Sequence, residues 1–336
     1  MTESFRALVV NTTEQGFTMG IGWLTQRDLP PGDVLIQVAY AAVNYKDALV
    51  CSADGKVART FPLIPGLECA GVVVASTDPR YQPGDRVMAS DGGHTMGVSR
   101  HGGFSEFVRV PGEFLSPLPA EIGFTQALAL SAGITTGVAL RQLEQHGLTP
   151  QRGPVLVTGA TGGIGSLAVS LLAQRGYTVA ASTGKSDADD YLRQLGASEI
   201  LRREETTAQS ARPLEAERWA GSIDMVGGAT LAYLLRTTQR GGAIAAVGVA
   251  GGATFQTTVY PFILRGITVV GIDLPSVPLK VQQEVWNEII AERSRLGGVE
   301  ATVTEVTLED LPNVTKAVLL GQTRGRVLVK IGELFP

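Results

Sequence analysis

Cysteine is nearly absent: the 336 residues contain only Cys51 and Cys69. Neither sits in a CxxC pair, so a disulfide framework is excluded and a reducing, cytoplasmic setting is expected. The same scarcity excludes a structural zinc centre, which needs four sulfur or imidazole ligands. Histidine does not make up the deficit, because His94, His101 and His146 lack ligand spacing to one another. No catalytic zinc site is therefore expected, since one takes three protein ligands. Charge of one sign is also missing. The formal net charge is −4, with no basic run and no interleaved aromatic pattern, which argues against a nucleic-acid partner. No apolar stretch approaches membrane-spanning length without Gly, Pro or polar breaks. The segment Met-Thr-Glu-Ser-Phe-Arg at residues 1–6 lacks a signal-peptide pattern. There is no internal repeat.

What the chain does have is glycine, placed at turns and element ends. The most informative case is Pro154-Val-Leu-Val-Thr-Gly-Ala-Thr-Gly-Gly-Ile-Gly-Ser166. It reads as a buried strand over Val155–Thr158, a glycine-rich turn, and a helix over Ser166–Arg175 stopped by Gly176. The turn fits Ala160-x-Gly162-x-x-Gly165, a variant of the three-glycine dinucleotide fingerprint with alanine first. Thr161, Gly162, Gly163, Ile164 and Gly165 are the expected pyrophosphate contacts, at the N–H groups of a helix start.

A second strand is expected over Tyr177–Ala181. Its end is where an NAD site places Asp or Glu for the ribose 2′-hydroxyl. This chain has Ser182-Thr183-Gly184-Lys185 instead. A carboxylate there would repel a 2′-phosphate, whereas hydroxyls and an ammonium bind it. The cofactor expected is NADPH. Arg203, after a third strand over Glu199–Leu201, is a second candidate phosphate partner.

The chain to about Pro119 reads as β-rich, with strand candidates Phe5–Val10, Val34–Tyr40, Gly71–Ala75, Arg86–Ala89 and Phe104–Val110. Turns at Pro31-Gly32-Asp33 and Pro83-Gly84-Asp85 separate some of them. Helical spacing follows at Leu128–Gln145. Beyond the glycine motif strands and helices alternate: Ile223–Val226, Ala229–Thr238, Ala243–Val247, Ile267–Ile272 and an amphipathic helix over Pro278–Arg295. The tail strand Arg326–Ile331 has no place at the end of a Rossmann sheet and is expected to return to the first domain. With 336 residues, two domains are the prior.

These residues carry a resemblance. Leu29-Pro-Pro-Gly-Asp-Val34, Asn44-Tyr-Lys-Asp47, Ile64-Pro-Gly66, Pro83-Gly-Asp-Arg-Val87, Ala132-Gly-Ile-Thr135 and the glycine turn resemble the medium-chain dehydrogenase/reductase superfamily, within it the zinc-independent quinone oxidoreductases. Asn44–Ala48, Thr257-Thr-Val-x-Pro-Phe-Ile-Leu-Arg265 and Gly325-Arg326 are similar to the acryloyl-CoA reductase branch. The resemblance implies an α/β fold: a GroES-like β-barrel over residues 1–127 and 301–336, and a Rossmann doubly wound parallel sheet over 128–300. It places the active site between them. It also implies a homodimer that pairs edge strands, here Gly266–Leu274.

Position by position, it implies that Thr135, Val249, Ile263 and Leu274 lie near the nicotinamide, and that Asn44, Tyr45 and Asp47 line the active site. Asn44 offers an amide, Tyr45 a hydroxyl and ring face, and Asp47 an orienting carboxylate; both Asn and Asp also cap helices. Without a metal, alcohol oxidation loses its Lewis acid. Reduction of an activated C=C bond needs none: hydride goes to the β-carbon and the enolate is protonated.

The substrate class expected is an enoyl-CoA thioester, with Arg100, Arg265, Arg324 and Arg326 as candidates for its phosphates. A quinone or enone is the alternative, and a non-catalytic NADPH sensor a third reading. The chain departs from the acryloyl-CoA reductase branch at Gly93-His-Thr-Met-Gly-Val-Ser-Arg-His-Gly-Gly103. That branch has tryptophan there; the Gly-Val-Ser-Arg form is similar to a sister group of quinone oxidoreductases.

Overall fold

The computed structural model describes residues 4–296 and 302–332. The chain folds into two compact units: one runs to Ser131 and resumes at Val303, the other spans Ala132–Thr302. The expected boundary at residues 300 and 301, and the outermost ends of the expected first domain, lie outside the described residues.

In the first unit, strands β1 (Ser4–Thr13) and β2 (Gly16–Thr25) form a two-stranded sheet. β3 (Val34–Val43), helix α1 (Tyr45–Val50), β4 (Glu68–Ser76), β5 (Arg86–Ser90), β6 (Phe107–Val110), β7 (Leu115–Pro117) and α2 (Phe124–Leu130) follow. β3 is buried almost throughout, because it pairs with β4, β6 and a strand from the far end of the chain. Such a strand needs apolar residues on both faces, as Val-Leu-Ile-Gln-Val-Ala-Tyr-Ala-Ala-Val supplies.

The second unit holds α3 (Gly133–Gln145), β8 (Val155–Val157), α4 (Gly163–Gln174), β9 (Val179–Thr183), α5 (Asp189–Gln194), β10 (Glu199–Arg202) and α6 (Arg203–Thr207). It continues with β11 (Trp219–Asp224), α7 (Gly228–Thr237), β12 (Thr238–Ala246), α8 (Tyr260–Arg265), β13 (Thr268–Gly271) and α9 (Leu279–Glu292). Its six strands are parallel in the order β10-β9-β8-β11-β12-β13. This is a doubly wound Rossmann sheet, and its order reverses at β8 and β11. Val155, Leu156 and Val157 are all fully buried there. The chain then returns to the first unit with β14 (Val303–Val306), α10 (Leu311–Leu319) and β15 (Arg326–Lys330). β15 pairs antiparallel with β3, Val327 opposite Val43.

The differences from expectation have local causes. The expected helix over Leu128–Gln145 is two helices, broken where the Ser131 hydroxyl turns back to donate to Leu128 O at 2.9 Å. β2 is unheralded because its alternation is diluted by Gly16, Gly20 and Gly22. The expected edge strand to Leu274 stops at Gly271, and Leu274 opens a 3₁₀ turn with Pro275 behind it. Within the second unit α3 and α9 pack closely enough that a Cβ on Gly137 would lie 2.5 Å from Val285. Among the described residues no helix is long and apolar enough to cross a membrane.

Candidate cofactor site and buried ionic cluster

The glycine turn joins β8 to α4. Gly159, absent from the expected set, takes a left-handed φ of +58°, which makes the sharp exit from the strand. Gly165 allows α4 to close on the turn: a Cβ there would lie 2.3 Å from Gly159 O. Gly162 differs, since a Cβ would meet only Gly159 O at 3.4 Å, an ordinary contact. The protein's own packing leaves space over Gly162. No side chain caps α4 and its first turn is free of acidic residues, so its leading N–H groups suit an anion. Ala160 N donates to Ser182 O at 3.1 Å, tying the turn to β9.

At the end of β9 the expected residues divide. The Ser182 hydroxyl is buried and bonded to Thr206 at 3.0 Å, which corrects its expected role as a phosphate ligand. Thr183 Oγ1 accepts from Lys185 N at 3.1 Å, and this holds the turn. Lys185 Nζ reaches back to the glycine turn, donating to Thr161 Oγ1 at 3.0 Å. β10 runs in register beside β9, Arg202 opposite Thr183, so Arg203 leaves β10 next to Gly184. Its guanidinium lies over Gly184 so closely that a Cβ there would sit 2.6 Å from it. The Lys185 ammonium thus lies on the glycine turn at Thr161, and the Arg203 guanidinium lies over the neighbouring Gly184. That is a fit for the 2′-phosphate of NADPH.

Of the expected nicotinamide residues, Val249 and Ile263 are exposed, at 53% and 68%, while Thr135 and Leu274 are half-buried. Thr136, next to Thr135, is buried and donates to Ala132 O at 3.3 Å.

In the first unit, α1 carries Tyr45, Lys46 and Asp47. Tyr45 is 37% exposed. Asp47 is fully buried: its carboxylate accepts from Asn44 N at 2.9 Å, Gly66 N at 3.1 Å and Leu67 N at 2.9 Å. Burial pushes its pKa up to about 7, against the backbone N–H groups of Asn44 and Leu67, which draw it down. Asn44 is committed too: Nδ2 donates to Glu68 at 3.0 Å and Oδ1 accepts from Arg326 at 2.8 Å. Asp47 is thus placed to orient its neighbours, whereas the Asn44 amide expected to line the active site is taken up by Glu68 and Arg326. Asp47 holds the backbone at Gly66 and Leu67, and Asn44 belongs to the Glu68–Arg326 cluster.

Arg326 is likewise not a phosphate ligand. It is 3% exposed; its guanidinium donates to Glu68, Asn44, Ser131 Oγ and Leu128 O. An arginine so far from water needs a carboxylate and further acceptors, and it has both. Glu68 carries this cluster and is missing from the expected site. Its signal in the sequence was its place just after Ile64-Pro-Gly66. Arg265 is also buried, with its guanidinium on the carbonyls of Arg236, Thr238 and Glu215. Arg100 is half-buried and donates to Pro31 O; Arg324 is half-buried.

The segment after β5 is held by Asp91, another residue beyond the expected set. Its buried carboxylate accepts from Gly93 N at 3.0 Å, His94 N at 2.9 Å, Thr95 Oγ1 at 2.6 Å and Met96 N at 3.0 Å. Lys46 Nζ donates to Gly93 O at 3.1 Å, fastening the segment to α1. Cys51 and Cys69 are buried and unpaired, and burial raises both thiols, so neither is a poised nucleophile.

Two family models match. One, described as alcohol dehydrogenase GroES-like domain, covers residues 30–120; the other, described as zinc-binding dehydrogenase, covers 163–293. The chain is 44% identical to acrylyl-CoA reductase AcuI of Ruegeria pomeroyi, over 97% of this chain and 99% of that one. It is 43% identical to the quinone oxidoreductase YhfP of Bacillus subtilis, over 98% of this chain and all of that one. The YhfP crystal structure, with NAD bound, superposes with a TM-score of 0.90. The yhdH oxidoreductase of Salmonella enterica, solved with NADP, gives 0.90 at 41% identity, over 97% of this chain and 100% of that one.

The zinc in the second description finds no donor set in the first-unit cluster. Leu67 is apolar, Asn44 and Glu68 are bound to Arg326, and among the described residues no group of three His, Cys, Asp or Glu can hold a metal. End-to-end identity, a Rossmann unit with its glycine turn, and a GroES-like unit with a guanidinium in its ionic cluster lead to one assignment: the chain belongs to the medium-chain dehydrogenase/reductase superfamily, in its acryloyl-CoA reductase and quinone oxidoreductase group.

Proposed function

We propose that the chain is an NADPH-dependent reductase of an activated C=C bond, with an acryloyl-CoA-type enoyl thioester as substrate. The observation that carries the reading is the near full-length 44% identity to a protein named acrylyl-CoA reductase. The pairing of Lys185 with Thr161, and Arg203 over Gly184, supports NADPH as the cofactor. Gly162, Gly163, Ile164 and Gly165 hold the pyrophosphate on α4, and Val249 and Ile263 wall the nicotinamide. When bound, NADPH supplies the hydride for the β-carbon of the alkene.

The chain's own residues bind and orient. Tyr45 is the exposed polar group of α1 and supplies a hydrogen bond to the substrate carbonyl, where charge develops in the transition state. Asp47 and Asn44 hold the backbone around it. The Asp91-held segment shapes the substrate side, with Arg100 and Arg324 as the remaining candidates for a phosphate.

A second reading, a quinone or enone reductase, is favoured by the 43% identity to YhfP and by the absence of tryptophan from residues 93–103. Steady-state oxidation of NADPH with acryloyl-CoA beside 1,4-benzoquinone separates the two. A higher kcat/KM for acryloyl-CoA is expected, and preference for the quinone selects the second. Turnover with neither favours a sensor.

The assembly in this reading is a homodimer through the edge of the Rossmann sheet. Among the described residues β13 pairs with β12 alone, and Val269 on β13, with Val259 and Leu264 shortly before it in the chain, are 36%, 63% and 49% exposed. Such an edge is a liability when uncovered. Sedimentation at micromolar concentration is expected to give twice the 35.3 kDa chain mass. A cytoplasmic location fits two buried, unpaired cysteines.

A further inference from the structure

Two buried polar side chains at the switch point have no part in the reading above. Thr158 follows β8 and Asp224 ends β11, and both are 0% exposed. In open parallel sheets ligands sit outside the carboxyl ends of the strands where the order reverses, which here is between these two strands. Thr158 Oγ1 donates to Asp224 Oδ1 at 2.5 Å and accepts from Met225 N at 3.1 Å. The same carboxylate accepts from Val226 N at 3.0 Å and Gly227 N at 3.1 Å. The turn after β11 is therefore shaped by one hydroxyl and one carboxylate.

That turn holds a second segment. Val247 N donates to Asp224 O at 2.8 Å and Gly251 N to Val226 O at 2.7 Å. The contact is tight, since a Cβ on Gly248 would lie 2.6 Å from Met225 O. The segment so fixed carries Val249, 53% exposed.

We infer that Thr158 and Asp224 are positioning residues for the nicotinamide half of the cofactor. They set the turn at 225–228, and the turn sets the segment at 247–252. The inference rests on the reading of Val249 as a nicotinamide wall. The chemistry at both positions is specific. Only donors converge on Asp224, so an amide in its place turns N–H toward N–H or O–H. Only a hydroxyl at 158 can donate to Asp224 and accept from Met225 at once. The 2′-phosphate site is built on β9 and β10 from Lys185 and Arg203, and these bonds do not include it.

The test uses two ligands on the full chain. NADPH has both halves; adenosine 2′,5′-bisphosphate has the 2′-phosphate and no nicotinamide. Thr158→Val and Asp224→Asn are expected to raise the Kd for NADPH about tenfold, the effect of one buried donor left unsatisfied. The Kd for adenosine 2′,5′-bisphosphate stays within about twofold of wild type, because only the nicotinamide half is disturbed. Thr158→Ser, which keeps the hydroxyl, restores NADPH binding. Should Thr158→Val not fold, Thr158→Ala gives the same reading without the added methyl.

Equal weakening of both ligands, no weakening of either, or Thr158→Ser behaving like Thr158→Val would overturn the inference. Val249→Ala separates it from the reading beneath it. If that variant binds NADPH normally while Thr158→Val does not, the pair acts through another residue of the segment and Val249 is no wall. If Val249→Ala weakens NADPH binding and Thr158→Val leaves it intact, the wall stands and the positioning role is wrong.

Discussion

Arg326, on the last strand of the first unit, donates to the carboxylate of Glu68, 258 positions earlier in the chain. Both side chains are nearly out of contact with water, and Asn44 bonds to each. The pair locks β15 to β4 through β3 and puts a fixed cation inside the first unit.

Breaking one side of this pair strands a buried charge. Arg326→Ala is expected to lower unfolding free energy by about 3–5 kcal/mol, while Arg326→Met with Glu68→Leu recovers most of it. Urea unfolding followed by circular dichroism measures both. Equal loss in the single and double variants would mean that volume, not charge, is what matters there.

Asp47 makes stability depend on pH in a stated direction. Its folded pKa, about 7, lies above the ordinary aspartate value of 3.8, so the folded state binds the proton more tightly. Its contribution is full below pH about 4 and is lost as pH rises through about 7. The unfolding free energy of wild type minus that of Asp47→Asn is expected to fall across that window. A difference independent of pH would show that the three backbone donors keep the carboxylate ionised throughout.

Gly165 and Gly162 should fail differently. Gly165→Ala puts a methyl 2.3 Å from Gly159 O and is expected to lower the melting temperature clearly. Gly162→Ala is expected to melt within a few degrees of wild type and to weaken NADPH binding about tenfold or more, since its methyl occupies the space a phosphate needs. Thermal unfolding with and without NADPH separates the two. Unchanged NADPH affinity in Gly162→Ala would remove that residue from the phosphate site.

Much of this was legible from residue types. The glycine turn, the buried run before it and the missing carboxylate after β9 are local signals that lie within about thirty residues, the size of one crossover unit. The first-unit cluster is different. Asn44, Glu68 and Arg326 are brought together by the pairing of β3 with β4 and β15, and such pairing leaves no trace in spacing. Arg326 in the sequence is an arginine after a glycine, as suited to a phosphate as to Glu68. Ser182 reads as a phosphate ligand in the sequence because its partner, Thr206, comes from a helix whose packing no motif announces. Asp91 does have a local signal, an aspartate before two glycines, which is where a carboxylate collects backbone N–H groups.

In the proposed function Lys185 and Arg203 carry the cofactor preference. Lys185→Ala is expected to raise the KM for NADPH about tenfold or more and to leave NADH within about twofold, from the worth of a charge-assisted hydrogen bond. Arg203→Ala is expected to act in the same direction. Equal effects on both cofactors would detach these residues from the 2′-phosphate.

In the proposed function hydride passes to the β-carbon of an enoyl thioester. It is tested most directly with NADPH deuterated at the transferring position of the nicotinamide and acryloyl-CoA, with the product read by mass spectrometry and NMR. The expected product is propionyl-CoA carrying one deuterium, on the β-carbon, with one NADPH consumed for each product formed. No NADPH consumption with acryloyl-CoA, or a product without deuterium at that carbon, would contradict it.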